Sequence, residues 1–327
     1  MLLSIVILSY NRPEQIKRIL NNLSNANLNN FNLIVKDDCS PRQNEIEKIV
    51  QSFIGKSNFE IILYKNKENL GYDRNLLDAF NVTDSEYVFL LSDDDFIDGA
   101  YLYTLIEILE KRRFKVYFTP YKDNNITHRV NIHTFELKRF KDVIYNSILF
   151  SGIVFNRLSV LNLPKDEEFL SKCIYTQVYL ASLIIFNERA FGEGPINLLH
   201  LGGDGENFFG KNQSAINKDV LQDRSSIVSN FRYQKFLLSV VYEVAKYSDW
   251  IILKTFMFEY NKRLISYLFR ARSIDLCAFK NLVCEIKKSK LKLTWFIKLS
   301  ICIIPLVPSY LAGVVVRYAA RFLRNAG

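Results

Sequence analysis

The sequence is poor in the residues that interrupt regular structure. Its 327 residues include only 12 glycines and 7 prolines, and no internal repeat or low-complexity tract is present. This composition excludes fibrous and intrinsically disordered proteins. Hydrophobic residues make up 49% of the chain, and Phe and Tyr far outnumber Trp and Met. The chain is therefore long and apolar enough for one large globular domain and a smaller one.

Cysteine is also scarce, and no Cys-x-x-Cys pair occurs. The five cysteines are an odd number, so we expect free, buried thiols in a reducing compartment rather than disulfides or a metal site. Residues 1–8 are apolar but run directly into a polar segment, without the basic start or the small-residue cleavage site of a secretory signal. We therefore predict a cytoplasmic protein.

Acidic residues are rare towards the C-terminal end. Residues 211–327 contain 20 Lys and Arg against 7 Asp and Glu, whereas residues 1–210 contain 23 against 27. Such an excess suits an anionic partner, either nucleic acid or lipid headgroups. Residues 299–316 carry no charge and lie between basic flanks. This apolar run favours lipid over nucleic acid.

The uncharged run is short for a membrane span, and Pro305 and Pro308 would interrupt a straight helix. Basic residues on both flanks do not favour crossing either. We expect a pair of interfacial helices within a membrane-associating segment of about 291–324, peripheral or monotopic at the inner face of the cell membrane. A helix packed in a soluble core is the alternative.

Apolar, β-branched runs alternate with amphipathic helical patterns through the first hundred residues. The pattern predicts strands at 2–8, 31–35, 59–64 and 87–91, and helices at 14–23, 43–53 and 73–80. This alternation predicts an α/β fold with a mostly parallel central sheet and helices on both faces. Strands at 116–119 and 148–155, a buried helix at 173–186 and a long loop at 189–210 would follow. We expect one domain over 1–210 and a basic helical region over 211–327.

Polar clusters lie at the ends of the four strands. They are Tyr10-Asn11-Arg12, Asp37-Asp38, residues 69–72 and Asp93-Asp94-Asp95. Because ligands of such sheets bind beyond the carboxyl ends of the strands, we expect one shared site there. Three adjacent carboxylates repel one another, and Mg²⁺ or Mn²⁺ would relieve that repulsion. The alternatives are an acidic N-cap for the helix after residue 97 and a turn-forming Asp pair before Ser40.

Four segments resemble, in order and spacing, the family 2 glycosyltransferases, which have the GT-A fold. They are residues 4–12, residues 35–40, Asn69-Leu70-Gly71 with Arg74-Asn75, and residues 91–95. The likeness covers residues 2–110 well and 110–210 loosely. It implies an enzyme that moves a sugar from a nucleoside-diphosphate sugar to a saccharide or lipid-linked saccharide, in cell-surface polysaccharide synthesis.

The resemblance also implies roles for particular residues. Tyr10 and Asp38 would contact uracil, and a UDP-sugar is the favoured donor. The set expected around the donor is Tyr10, Asn11, Arg12, Asp37, Asp38, Gly71, Arg74, Asp93 and Asp94. The metal, Mn²⁺ or Mg²⁺, would be held by Asp93, Asp95 and His200, although His200 is also compatible with an ordinary loop histidine. Ser151 and Gly152 would line the sugar and acceptor pocket.

The sequence departs from the family at the catalytic base. Inverting members usually carry a Glu-Asp pair about eighty to ninety residues after the acidic triplet, but residues 175–179 contain no acid. We place Glu168 first as the base and Asp204 second, while residues 166–168 are also typical of an acidic helix start. The alternatives are a catalytically inactive family member acting as a membrane-bound assembly partner, and a sugar nucleotidyltransferase. The latter usually has a Gly-rich phosphate loop after the first strand, which this chain lacks.

Overall fold

The computed structural model describes residues 1–24, 30–123, 126–129, 140–189, 191–193, 198–202, 227–289 and 293–325. The chain divides into two compact units. The first consists of Met1–Phe208 with Glu243–Asp249, and the second of Phe209–Tyr242 with Trp250–Gly327.

The first unit contains eleven strands among the described residues. They are β1 (Leu3–Ser9), β2 (Phe31–Asp37), β3 (Glu60–Lys65), β4 (Tyr87–Ser92), β5 (Phe96–Ile97), β6 (Val116–Phe118), β7 (Tyr121–Asp123), β8 (Ile126–His128), β9 (Ile153–Asn156), β10 (Gly192–Glu193) and β11 (Leu199–His200). A seven-stranded sheet has the order β10-β6-β9-β4-β1-β2-β3, and a four-stranded sheet has the order β5-β11-β7-β8.

Eight helices accompany these strands in the part of the first unit that the structure describes. They are α1 (Pro13–Ser24), α2 (Gln43–Phe53), α3 (Gly71–Asp78), α4 (Gly99–Arg112), α5 (Phe140–Asn146), α6 (Arg157–Leu161), α7 (Glu167–Leu170) and α8 (Thr176–Glu188). The apolar side chains of α1 recur every three or four residues and are all buried, as expected for a helix that covers a sheet.

The centre of the large sheet is parallel, and its strands are buried on both faces. All seven residues of β1 and all seven of β2 are buried, so these runs need no polar alternation. β1 pairs in parallel with β2 and with β4, and its last residue Ser9 lies opposite Asp37. The register brings the carboxyl ends of β1, β2 and β4 to the same edge of the sheet. The prediction of a mostly parallel α/β sheet is confirmed.

The region after β4 differs from the predicted pattern. The strand expected over 148–155 is confined to β9, which runs antiparallel to β4 and β6. Its start is displaced by a turn, in which the Ile153 N–H donates to the Phe150 carbonyl at 3.1 Å and Gly152 has a φ of 79°. A positive φ cannot continue a strand, and hydrophobicity alone does not report it.

The second unit is helical where it is described. The remaining helices are α9 (Ile227–Tyr247), whose last turn belongs to the first unit, α10 (Ile251–Ile274), α11 (Leu276–Lys288), α12 (Trp295–Ile303), a 3₁₀ turn (Ile304–Leu306) and α13 (Ser309–Asn325). None of the described helices combines the length and apolar character that crossing a membrane requires. All five cysteines are free, but only Cys173 is fully buried, while Cys277, Cys284 and Cys302 are exposed.

Candidate functional site

The ends of β1 and β4 meet through an ion pair. The Arg12 guanidinium is buried, and its Nη1 lies 3.3 Å from Asp93 Oδ1 and 3.6 Å from Asp94 Oδ2. Asn11 has a φ of 59°, and its N–H donates to Ser40 Oγ at 2.7 Å. Tyr10 is half-buried beside them. Two of the predicted polar clusters are thus joined by direct contacts, while Asn11 connects to the loop after β2.

The end of β2 is joined to the start of α3 by Asp38. Its carboxylate accepts hydrogen bonds from the Leu70 N–H at 2.8 Å and the Gly71 N–H at 3.0 Å. Burial raises the pKa of Asp38, and these backbone donors oppose the rise. Asp37 behaves differently, since it accepts from the Ser40 N–H and from the Gln43 side chain. Asp37 therefore forms the turn that was the alternative for this pair.

A lysine that the sequence analysis missed lies beneath this connection. Lys36 is completely buried, and its Nζ donates to Asn66 Oδ1 and Asn75 Oδ1, both at 2.7 Å. It also lies 3.0 Å from Asp78 Oδ2. Asn66 in turn donates to Asp38 at 2.7 Å. Burial lowers the pKa of Lys36. The only sequence signal was a lysine within an otherwise apolar strand.

The start of α3 provides the third predicted cluster. Gly71 has a φ of 75°, a conformation that glycine adopts without strain. Arg74 is exposed one turn into the helix, whereas Asp73 beside it is buried. Asp73 accepts from Thr176 Oγ1 at 2.8 Å and from the Ile174 N–H at 3.0 Å. The segment without the expected Glu-Asp pair is therefore held by a carboxylate from α3.

The acidic triplet contains two buried carboxylates and one that is partly exposed. Burial raises the pKa of Asp93 to about 7 and that of Asp95 to about 6. Asp94 is partly exposed and accepts from the Ser92 hydroxyl. The triplet does not cap α4, because Asp98 is the N-cap residue and accepts from the Ala100 N–H at 3.0 Å. The helix-cap alternative for the triplet is therefore wrong.

The acidic triplet provides some, but not all, of the ligands that a divalent cation needs. Buried carboxylates whose ionised form is disfavoured would be relieved by a divalent cation. Among the described residues, however, no group of three His, Cys, Asp or Glu side chains is arranged to hold a metal ion by itself. A cation here would need further oxygens, such as those of a diphosphate, which is the usual coordination of Mg²⁺ in phosphate-binding sites.

The small sheet brings β11 beside the triplet. His200 is exposed and lies opposite Phe96 in the antiparallel pair of β11 with β5. Two residues later, the Gly202 N–H donates to Asp95 Oδ1 at 3.0 Å. Ser151 and Gly152 are both buried, and Ser151 Oγ accepts from the Ser92 N–H at 3.2 Å. Ser151 and Gly202 therefore contact the residues at the end of β4, and Gly152 and His200 are their neighbours in the chain.

Of the two candidate bases, only Glu168 lies within the part of the chain that the structure describes. Glu168 lies on α7, where its side chain is 86% exposed and 3.2 Å from the Lys172 ammonium. Asp166 caps that helix by accepting from the Phe169 N–H. Asp204 lies outside the described residues. No hydrogen bond or ion pair recorded for Glu168 joins it to the strand ends, and its catalytic role stays a prediction.

Comparison with known proteins assigns a family to the part of the chain that contains these strand ends. Residues 4–160 match the family model described as Glycosyl transferase family 2. These residues form a family 2 glycosyltransferase domain. The resemblance read from the four segments is thereby confirmed. All of β1 except Leu3, and the whole acidic triplet, fall within the match.

One similar sequence is the abequosyltransferase RfbV of Salmonella typhimurium. It is 28% identical over 194 residues, which cover 58% of this chain and 54% of RfbV. The chain spans between about a third and two thirds of the length of the curated relatives it matches.

Two solved structures share the fold of the family 2 domain and of the helices after it. S. aureus TarS 1–349 in complex with UDP-GlcNAc has a TM-score of 0.56 at 14% identity, covering 97% of this chain and 88% of that one. The mannosyltransferase PcManGT of Pyrobaculum calidifontis, in complex with GDP-Man and Mn²⁺, has a TM-score of 0.51 at 11% identity, covering 97% and 87%. The predicted GT-A architecture with a helical C-terminal region is confirmed.

Proposed function

We propose that this protein transfers a sugar from a nucleoside-diphosphate sugar to a hydroxyl of a saccharide or lipid-linked saccharide, as a step in cell-surface polysaccharide synthesis. One observation carries the proposal. In a family 2 domain, the loops with Arg12, Asp38 and the acidic triplet lie at one edge of the sheet, where β1, β2 and β4 end level. The donors bound by TarS and PcManGT support a nucleotide-sugar substrate.

The nucleotide would bind over β1, β2 and α3. Tyr10 would lie against the base, Asp38 would receive its N–H groups or the ribose hydroxyls, and a UDP-sugar is the donor we favour. Asp37 would act only through the turn it forms, because its buried carboxylate already accepts from Ser40 and Gln43. Asn11, Arg12 and Gly71 line the same edge, and the exposed guanidinium of Arg74 is free to reach a phosphate. Asp93 and Asp94 complete the proposed donor set through their contact with Arg12.

A divalent cation, Mn²⁺ or Mg²⁺, would be held by Asp93 and Asp95 together with oxygens of the donor diphosphate. His200 would be a further ligand only if its exposed side chain turned towards them, since the described residues form no three-ligand group. When bound, the cation neutralises the negative charge that develops on the departing diphosphate. The residues themselves supply oxygen ligands, and Arg12 adds a positive charge 3.3 Å from Asp93. Mn²⁺ in the PcManGT complex supports this assignment.

The acceptor hydroxyl would lose its proton to a carboxylate, and direct displacement would invert the anomeric carbon. Ser151 and Gly152 would border the acceptor pocket. Glu168 and Asp204 are the two candidates for the base.

The decisive experiment measures UDP release from a panel of UDP-sugars with Mn²⁺, comparing wild type with Asp95→Asn. We expect a loss of roughly 100-fold or more in Asp95→Asn, since a metal-binding carboxylate becomes a neutral amide. Asp98→Asn is the matched control. It lies three residues away and caps α4, so it should affect stability by about 1 kcal/mol or less without changing the rate.

Three results would contradict this proposal. Equal rates in wild type and Asp95→Asn would remove the metal from it. Release from no donor, with UDP still bound, would favour the inactive assembly partner. Pyrophosphate formed from UTP and a sugar 1-phosphate would identify a nucleotidyltransferase instead.

We also propose that the protein binds the inner face of the cell membrane through α12 and α13. These helices and the 3₁₀ turn between them expose large apolar side chains, among them Trp295 (68% exposed), Leu306 (81%) and Tyr310 (69%). Among the side chains of residues 293–318, which are the ones described in this segment, only Ile297, Ile304 and Ala312 are buried. An apolar surface of this size is unusual for a protein that stays in water.

Charge distinguishes a lipid surface from a protein partner for these helices. No acidic residue follows Glu285 in the sequence, whereas eight Lys and Arg do. Lys287, Lys288, Lys298 and Arg317 are exposed on the helices that border or carry the apolar side chains. Aromatic and aliphatic side chains among cations are the composition of interfacial helices, which bind anionic lipid in this way.

Co-flotation with vesicles tests this attachment. Wild type should float with vesicles that contain phosphatidylglycerol and less with pure phosphatidylcholine. Leu306→Glu combined with Trp295→Glu should abolish flotation, whereas Phe258→Glu, equally exposed on α10, should not. Wild type that stays unbound, or that buries this surface by dimerising in gel filtration, would contradict the lipid assignment.

A further inference from the structure

Arg129 is a second buried cation near the acidic triplet, and neither the motifs nor the comparisons point to it. The residue is 3% exposed and has a φ of 63°. Its guanidinium is bound by main-chain oxygens. Nε donates to the Asn146 carbonyl at 3.0 Å, Nη1 to the Ser151 carbonyl at 2.9 Å and the Thr119 carbonyl at 3.3 Å, and Nη2 to the Leu149 carbonyl.

These carbonyls come from the segments on either side of Arg129 in sequence. Thr119 follows β6, and residues 146–151 lead into β9. Asn146 is the last residue of α5, where the final carbonyls of a helix lack a helical partner, and Thr119, Leu149 and Ser151 lie outside the helices and strands. One planar group with five N–H donors satisfies four of them at once. Arg129 therefore holds the approach to β9 in a single conformation.

The segment held in this way contains Ser151, which connects Arg129 to the triplet. The Ser151 side chain is buried, and its Oγ accepts from the Ser92 N–H at 3.2 Å. Ser92 is linked to Asp95 in turn, because the Asp95 N–H donates to the Ser92 carbonyl at 3.2 Å. The Asp95 carboxylate itself accepts from the Gly202 N–H at 3.0 Å. The Ser151 hydroxyl therefore holds the turn that carries Asp95, and Gly202 restricts how the carboxylate can rotate.

Close packing around Gly152 restricts the residue that can occupy this position. A Cβ added to Gly152 would overlap Thr119 Oγ1 and lie 3.1 Å from Arg129 Nη1. Gly152 also has a φ of 79°, which disfavours other residues. The backbone after Ser151 must therefore be glycine for the guanidinium to approach as closely as it does.

We propose that Arg129 is a positioning residue for Asp95, which it orients through the backbone and hydroxyl of Ser151. The inference rests on the proposed function, because the consequence it predicts is tighter binding of the cation by Asp95. Groups that orient a metal ligand typically contribute 10–100-fold to metal affinity. Lysine cannot replace Arg129, since a single ammonium on a flexible stem cannot reach carbonyls spread along two segments.

The test measures Mn²⁺ binding by the EPR signal of the free ion, in protein saturated with UDP, so that no turnover is needed. We expect Arg129→Lys and Ser151→Ala each to weaken Mn²⁺ binding roughly tenfold or more. Arg157→Lys is the matched control, because Arg157 follows the opposite end of β9 and its Nε donates to the Phe80 carbonyl at 2.8 Å. It should bind Mn²⁺ like wild type.

Ser151→Ala keeps the inference testable if Arg129→Lys does not fold, since it removes one hydroxyl and leaves the guanidinium in place. UDP affinity in EDTA should be unchanged in both variants. Variants that bind Mn²⁺ as wild type does would overturn the inference alone. Equal weakening in Arg157→Lys would overturn it too, because the effect would then be general. Wild type that binds UDP but no Mn²⁺ would overturn the metal part of the proposed function and the inference with it.

Discussion

Two regions of the molecule depart from the usual rule that apolar side chains are buried and charged side chains are exposed. The edge of the central sheet buries charged side chains, including Lys36, Asp93 and Arg129. Helices α12 and α13 and the 3₁₀ turn between them expose apolar side chains, such as Trp295 and Leu306. Both arrangements are costly for a water-soluble fold, since buried charge loses hydration and exposed apolar surface orders water.

This difference between the sheet edge and the terminal helices indicates which kind of ligand each region binds. Buried charges are tolerated when they are fixed by hydrogen bonds, and they then present a rigid polar surface to a polar ligand. Exposed apolar groups are tolerated when something covers them. A nucleotide and a lipid surface are the corresponding partners in our proposal. Substitutions should therefore lower stability strongly at the sheet edge and change it little on the exposed apolar surface.

The largest effect on stability is expected at Lys36. In Lys36→Met the oxygens of Asn66, Asn75 and Asp78 lose their common donor, and the free energy of unfolding should fall by about 3 kcal/mol or more. Urea denaturation measures this loss, and UDP affinity should fall because Asn66 no longer holds Asp38. Lys65→Met is the control. Lys65 pairs with Glu47 at 3.0 Å in an exposed ion pair, and its loss should cost less than about 1 kcal/mol. Equal losses in both variants would contradict the role given to Lys36.

A smaller effect should appear in the pH dependence contributed by Asp73. Burial raises the pKa of Asp73 from 3.8 to about 6 in the folded state. The folded protein thus holds this proton more tightly, so the stabilisation is complete below pH 3.8 and is lost as the pH rises towards 6. The loss amounts to about 3 kcal/mol at most.

Comparing wild type with Asp73→Asn isolates this contribution, because the other titrating groups largely cancel. The free energy of unfolding of wild type minus that of the variant should decrease between pH 4 and pH 7, as measured by urea denaturation. A difference that is constant or increases with pH would mean that Asp73 is ionised in the folded state without cost.

The smallest effect on stability is expected on α12 and α13. Trp295→Ser and Leu306→Ser should change the free energy of unfolding by less than about 0.5 kcal/mol, because both side chains are exposed. The same variants should reduce vesicle binding. Ile297→Ser provides the contrast, since Ile297 is fully buried in α12 and its loss should destabilise the unit. Destabilisation by all three would mean that the apolar side chains are covered within the chain.

Much of the fold followed from local patterns because those patterns have local causes. The apolar runs of β1 and β2 predict strands buried on both faces, and the spacing in α1 predicts a helix with one apolar face. Polar residues at the strand ends follow from the same logic, and Arg12 and Asp93 are in contact there. The direction of β9 was beyond this reasoning, since a short apolar run reads the same in either orientation.

The sequence by itself determined the succession of strands and helices and the chemistry available at the strand ends, because hydrophobic period and residue type act within a few neighbours. Only the tertiary structure decided which of these groups bind one another. Lys36 contacts Asn75, 39 residues away, and Ser151 contacts Ser92, 59 residues away. Such pairings depend on chain reversals that bring distant segments within hydrogen-bonding distance, and these contacts leave no trace in the order of the residues.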